Sequence, residues 1–109
     1  MARILIAGGS LGGLLARPKY TAYCVSKAGV IMLTRCLAKE LAPEVRVNAL
    51  APGTITLPDD APELEADFIK QAPLKRSGRP ADIVDAVTYL ATAKFVTGHT
   101  LVIDGGRVL

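Results

Sequence analysis

The sequence predicts an α/β fold in which a small parallel sheet is flanked by helices. Short aliphatic runs have the length and composition of buried strands, at 3–7, 45–51 and 99–103. Segments with helical spacing of apolar residues alternate with them, at 21–41, 63–71 and 80–93. Strands that alternate with helices favour parallel βαβ units with right-handed crossovers.

Length and composition indicate a single domain spanning residues 1–109, with an aliphatic core. Half of the residues are hydrophobic and only 5% are aromatic, as in many α/β proteins. The net charge of +3 is modest, and no aromatic stripe accompanies the scattered Lys and Arg, so we expect no nucleic-acid partner. The apolar runs are too short for a signal peptide or a membrane span, so we expect no membrane partner and a cytoplasmic location.

Glycine and proline residues predict where the individual elements begin and end. A flexible glycine-rich turn is expected at 8–13, and Pro18 stops any helix before the one at 21–41. That helix ends at Pro43 and carries apolar residues on more than one face, so one side needs a cover beyond the sheet. Pro80 suits the first position of the last helix.

The two cysteines, Cys24 and Cys36, are expected to be reduced. On one helix, twelve residues apart, they would lie about 18 Å from each other, too far for a disulfide. Neither has metal-ligand spacing, and the single histidine, His99, has no suitable partner near it in sequence. We therefore predict no metal site.

Residues 23–27 (YCVSK) place a phenol and an ammonium one helical turn apart, on the same face of the helix. A tyrosine phenol ordinarily ionises near pH ~10 and is a poor proton shuttle at neutral pH. An ammonium ~4 Å away would favour the phenolate by roughly 4 kcal/mol at an effective dielectric of ~20. Such a tyrosine becomes a usable general acid or base.

Three other features accompany this pair. Ser10 lies thirteen residues before Tyr23, just after the first strand, and 48–55 (NALAPGTI) ends the second strand. Residues 96–106 (VTGHTLVIDGG) contain the third strand and a Gly-Gly turn. In this order and spacing, the pieces together resemble the C-terminal half of a short-chain dehydrogenase/reductase over residues 3–107.

The resemblance implies a partial Rossmann-like, doubly wound parallel sheet that lacks the family's N-terminal nucleotide-binding half. The family's Thr-Gly-x-x-x-Gly-x-Gly loop and Asn-Asn-Ala-Gly motif are not found before Ser10. Residues 1–109 are therefore interpreted as one truncated domain of this family. We expect the chain by itself to be inactive, and the alternative function is that of a catalytically silent folding or association module.

The resemblance also implies roles for particular residues in carbonyl–alcohol interconversion on a small molecule with NAD or NADP. Tyr23 would carry the proton, Ser10 would hydrogen-bond the substrate oxygen, and Lys27 would support the phenolate and bind the nicotinamide ribose. The cofactor-binding set would be Tyr23, Lys27, Pro52, Gly53, Thr54 and Ile55. Where the family often has a Thr, five residues after the Pro, this chain has Leu57.

Two further interpretations remain open at this point. The strand followed by glycines at 8–13 also resembles a dinucleotide fingerprint such as that of flavin hydroxylases, which would need a helix starting at those glycines. Parts of the sequence are weakly similar to pteridine reductases. The apolar helix at 21–41 and the unpaired edge of the first strand predict a homo-oligomer.

Overall fold

The computed structural model describes residues 3–109, apart from the Leu64 side chain. It confirms the α/β class and the alternation of strands and helices. Most element boundaries fall within one residue of those expected from sequence. The elements are β1 (Arg3–Gly8), α1 (Thr21–Leu41), β2 (Val45–Pro52), α2 (Pro62–Gln71), α3 (Pro80–Thr92) and β3 (Thr100–Ile103), with a single 3-10 turn at Leu11–Gly13.

The three strands form one parallel sheet in the order β1-β2-β3. At the carboxyl ends, Gly8 lies opposite Leu50 and Pro52 lies opposite Ile103. Parallel pairing therefore brings the segments that follow all three strands to the same edge of the sheet. Ligands of open α/β sheets bind at this edge.

The central strand, β2, is buried on both faces, as is usual in parallel sheets covered by helices. Leu50 packs with Ala86 and Leu90 of α3 in the main core cluster. Because side chains alternate along a strand, the residues on either side of Leu50 point to the opposite face. Ala49 and Ala51 are also completely buried, and α1 is the other helix that packs along β2. The sheet therefore has helical cover on both faces of β2.

Polar side chains of β2 hold the segment between α3 and β3. Asn48, which is completely buried, donates from Nδ2 to the Val96 carbonyl at 3.0 Å and accepts the His99 N–H at 3.0 Å. Arg46 donates to the carbonyls of Leu90 and Ala91, the last turn of α3. These bonds satisfy carbonyls that a helix end leaves without partners.

The start of α3 is fixed by a carboxylate. Asp82 accepts the Arg79 N–H at 2.8 Å, which caps the helix, and two N–H groups of Arg76 at 2.9 and 3.0 Å. The hydrogen bonds from Arg76 and from the Arg79 backbone lower the pKa of the Asp82 carboxyl to about 2. The loop before α3 is thereby tied to its first turn.

Helix α1 is less covered than β2. It ends at Leu41 because Pro43 holds the preceding Ala42 in an extended conformation, with ψ of 147°. Thr34 and Ala38 are its buried residues. Its other apolar face stands in solvent in this chain, as the sequence pattern predicted for a helix with apolar residues on several sides; Val25 is 66% exposed and Leu33 54%.

We expect Asn48→Ala to lower the free energy of unfolding by roughly 1–3 kcal/mol, because the His99 N–H loses its acceptor and the Val96 carbonyl keeps only the longer contact of 3.4 Å with Arg46 Nη1. Thr88→Ala is the matched control, since its exposed hydroxyl bonds only to Val84 within α3. Urea unfolding should show a change below about 0.5 kcal/mol for this control. Equal losses in both variants would contradict the role given to Asn48.

Candidate functional site

The glycine-rich segment after β1 is an ordered turn, so the expectation of a flexible one was wrong. The Gly9 N–H donates to the Leu50 carbonyl at 2.8 Å and continues the pairing with β2. Ser10 is extended and caps the 3-10 turn at Leu11–Gly13, where its Oγ accepts the Gly12 N–H at 3.2 Å. The serine hydroxyl is therefore fixed at the carboxyl end of β1.

Tyr23, in the first turn of α1, meets that serine. Its hydroxyl donates to the Ser10 Oγ at 3.0 Å. Lys27 follows one helical turn later, and its Nζ lies over the Tyr23 ring, 5.6 Å from the ring centroid. The structure thus brings the three residues named as catalytic into one cluster, with the ammonium against the ring face.

Two glycines make this approach of turn and helix possible. A Cβ on Gly12 would lie 2.8 Å from Tyr23 Cε1, and a Cβ on Gly13 would lie 2.8 Å from the Lys27 carbonyl carbon. Both distances are shorter than real Cβ contacts, so neither position takes a side chain without displacement. The sequence showed the glycines, but their contact with Tyr23 and Lys27 depends on the packing of the turn against α1.

A cavity of about 140 Å³ opens beside Ser10 and Tyr23. The end of β2 and the segment that follows it form another wall of the cavity, through Pro52, Gly53 and Thr54. Two arginines that the sequence analysis did not select, Arg17 and Arg107, also line it. Five of the seven residues named from sequence therefore share one cavity, and two do not.

The two others are Lys27 and Ile55. Lys27 reaches the cluster through the Tyr23 ring rather than by lining the cavity. Ile55 forms an isolated parallel bridge with Gly78, and its side chain fills the space where a Cβ on Gly78 would lie. Its position is set by this pairing, which the spacing within 48–55 did not indicate.

The segment after β2 is held close to β3. The Gly53 N–H donates to the Ile103 carbonyl at 2.9 Å, and a Cβ on Gly53 would lie 3.0 Å from the Asp104 Cβ. Within the described part of the chain, the N–H groups of Thr54 and Ile55 donate to no protein acceptor. Two backbone donors are thus available in this segment, and Thr54, which carries one of them, lines the cavity with Tyr23.

The alternative of a flavin-type fingerprint is contradicted by the structure. Only the short turn at Leu11–Gly13 follows the glycines, and the first long helix starts at Thr21. Glycine-rich phosphate sites need a long helix whose N-terminus points at the phosphates. The glycines of this chain serve the contact with α1 instead.

No metal site, disulfide or membrane-spanning helix is found among residues 3–109. No three His, Cys, Asp or Glu side chains of this range lie close enough together to hold a metal ion, and Cys24 and Cys36 are free thiols. Over the same range, no helix combines the length and the hydrophobicity needed to span a bilayer.

We expect Gly12→Ala to displace the Tyr23 ring and break its hydrogen bond to Ser10, because the new methyl group would overlap Cε1. Gly29→Ala is the control, since a Cβ there meets nothing within 4 Å. A solvent-exposed Gly→Ala change inside a helix should stabilise by about 0.5–1 kcal/mol. NMR shifts of the Tyr23 ring should move in the first variant and stay in the second; an unmoved ring in Gly12→Ala would contradict the contact.

Known proteins are similar to this chain in sequence. The family model described as Enoyl-(Acyl carrier protein) reductase matches residues 3–107. A short-chain type dehydrogenase/reductase of Sinorhizobium fredii is 44% identical over 106 residues, covering 89% of this chain and 19% of the relative. An inactive 2-(S)-hydroxypropyl-CoM dehydrogenase of Xanthobacter autotrophicus is 41% identical over 110 residues, covering 90% of this chain and 48% of the relative.

Solved structures agree with the sequence relatives. A short-chain dehydrogenase from Leptospira borgpetersenii with bound NAD⁺ superposes with a TM-score of 0.87 at 33% identity, covering 97% of this chain and 44% of that one. The chain therefore spans less than half the length of these relatives. The match over residues 3–107, together with the shared fold, shows that this chain belongs to the short-chain dehydrogenase/reductase family.

Proposed function

We propose that this chain provides the proton-transfer centre of an NAD(P)-dependent oxidoreductase that interconverts a carbonyl and an alcohol on a small molecule. The observation that carries the proposal is the 3.0 Å hydrogen bond from the Tyr23 hydroxyl to the Ser10 Oγ. It lies at the carboxyl edge of the parallel sheet, beside a cavity. Family membership supports the type of reaction.

Tyr23 and Ser10 would have different roles at the substrate oxygen. In reduction, the Ser10 hydroxyl would donate a hydrogen bond to the carbonyl oxygen as negative charge develops on it. The Tyr23 hydroxyl, 3.0 Å away from the same serine, would then give its proton to that oxygen. In oxidation the phenolate would take the alcohol proton back.

Lys27 would assist through charge. Its ammonium lies over the Tyr23 ring, so it stabilises the negative charge that remains after the proton leaves. Position i+4 on α1 keeps the two side chains on the same helix face. By family resemblance, the same ammonium would hydrogen-bond the nicotinamide ribose.

The residues after β2 fit a nicotinamide. Thr54 lines the cavity with Tyr23, and the N–H groups of Thr54 and Ile55 have no acceptor within the described residues, which suits a carboxamide oxygen. Pro52 and Gly53 would form the surface beneath the ring. Nicotinamide, when bound, would supply or accept the hydride. For Ile55 this proposal concerns the backbone alone, because its side chain packs toward Gly78.

We expect Tyr23→Phe to lower any measurable turnover by about 10²–10⁴, a much larger effect than its change in the Kd for NADH or NADPH, because it removes the proton donor and leaves the aromatic ring in place. Tyr89→Phe is the control, an exposed tyrosine on α3. Nicotinamide absorbance with a panel of small aldehydes and ketones measures turnover, and calorimetry measures cofactor binding. Unchanged turnover in Tyr23→Phe would contradict the proposal; no turnover and no cofactor binding by the unmodified chain would favour the silent module.

We also propose that the exposed apolar face of α1, or the free edge of β1, is covered by a second copy of the chain. Val25 and Met32 are 66% and 52% exposed and lie seven residues apart on the helix. Exposed apolar surface of this kind usually marks an interface. On β1, Ile4 and Leu5 are about two-fifths exposed, and this strand is an edge of the sheet.

We expect sedimentation velocity at micromolar concentration to show a dimer or larger species that Val25→Glu with Met32→Glu reduces to monomer. Val84→Glu, on an equally exposed position of α3, should leave the assembly intact. Assembly that survives the double change but is lost in Leu5→Lys would assign the contact to the β1 edge instead. A monomeric unmodified chain would contradict the proposal.

A further inference from the structure

The cavity beside Ser10 and Tyr23 carries two positive charges and no negative one. Arg17 and Arg107 line it, and no Asp or Glu is among its lining residues. Arg17 comes from the loop before α1, and Arg107 follows β3, so two distant segments bring guanidinium groups to the same small space. Placing like charges together costs energy unless something of opposite charge joins them.

Both guanidinium groups lie over aromatic rings. The Arg107 guanidinium lies 5.2 Å from the ring centroid of Phe68, which is almost fully buried in α2. The Arg17 guanidinium lies 4.5 Å from the ring centroid of Tyr20. Stacking on an aromatic ring orients the group but leaves the in-plane N–H donors unused. These donors match an anion such as a carboxylate, which arginine binds through two parallel hydrogen bonds.

Several other arginines of the chain already have protein partners for their guanidinium groups. Arg76 makes two hydrogen bonds to Asp82, Arg79 forms an ion pair with Glu65, and Arg46 is bonded to backbone carbonyls. Within residues 3–109, the side chains of Arg17 and Arg107 donate to no protein acceptor and meet no carboxylate. Arg3 and Arg35 show no such partner within the described residues either, but neither lines this cavity, so Arg17 and Arg107 are the arginines that bring available donors to it.

We propose that this cavity selects small molecules that carry an anionic group beside their carbonyl or alcohol, such as short oxo or hydroxy acids. The inference rests on the proposed function and adds the substrate class to it. The substrate oxygen would lie at Ser10 and Tyr23, and Arg107 would bind the anionic group. Arg107 is the principal partner because it is half-buried, where charge interactions are screened less than at the exposed Arg17.

The same donors could instead serve a phosphate of the nicotinamide cofactor, and the experiment distinguishes the two sources. The probes are acetoacetate, its neutral methyl ester and NAD⁺, each titrated into the ¹⁵N-labelled chain and followed by NMR. We expect acetoacetate to bind about tenfold more tightly than the ester, the gain typical of hydrogen bonds to a charged group. Its shift changes should include the amides of Gly53 and Arg107.

Arg107→Gln should remove the preference for acetoacetate, and Arg107→Lys should keep part of it. Arg35→Gln is the charge-matched control, an exposed arginine of α1 away from this cavity, and should leave the preference unchanged. Equal affinity for acid and ester, or no binding of acetoacetate, would overturn the proposal. The proposal would also be overturned if Arg107→Gln weakened the binding of NAD⁺ and left the binding of acetoacetate unaffected.

Binding is read without turnover, so the two proposals fail separately. A preserved preference for acetoacetate in a chain whose activity is insensitive to Tyr23→Phe would overturn the proton-transfer role and leave the anion selectivity standing. If Tyr23→Phe abolishes activity but the chain binds acetoacetate no better than its ester, the anion selectivity is overturned and the proton-transfer role stands.

Discussion

Parallel pairing of β2 with both of its neighbours is the constraint on which the rest of this structure depends. It puts Gly8, Pro52 and Ile103, the last residues of the three strands, at one edge of the sheet. Ser10 and the segment after Pro52 are therefore neighbours in space although forty residues separate them in sequence. The cavity with its polar groups is a consequence of this register.

The site at that edge depends on close contacts between the glycine backbone of the turn and residues of α1. The turn after β1 packs against α1 only because Gly12 and Gly13 present no Cβ to Tyr23 and Lys27. Gly53 allows a similar approach to Asp104 at the end of β3. The proposed proton transfer needs its atoms within hydrogen-bond distance, and the missing side chains of Gly12 and Gly13 allow Tyr23 to come that close to Ser10.

The sequence predicted the elements well because their signals are local. Aliphatic runs, Pro43 and Pro80 set strand and helix boundaries through properties of a few adjacent residues. That Ser10 and Tyr23 would meet was implied by the resemblance to the family. Arg107 was missed because it reaches the cavity only through the pairing of β3 with β2 and the stacking on Phe68. The flexible turn was a wrong expectation because glycine freedom is local, whereas its order comes from contacts with α1.

The proposed assembly and the proposed chemistry both involve α1. Its first turns carry Tyr23 and Lys27 next to the cavity, while Val25 and Met32 on the same helix stand in solvent. A rigid helix transmits support along its length, so whatever covers Val25 and Met32 also restricts the motion of the helix that holds the phenol. Since the Tyr23 hydroxyl meets Ser10 through one hydrogen bond from an exposed ring, that restriction would bear directly on the geometry of the proposed proton transfer.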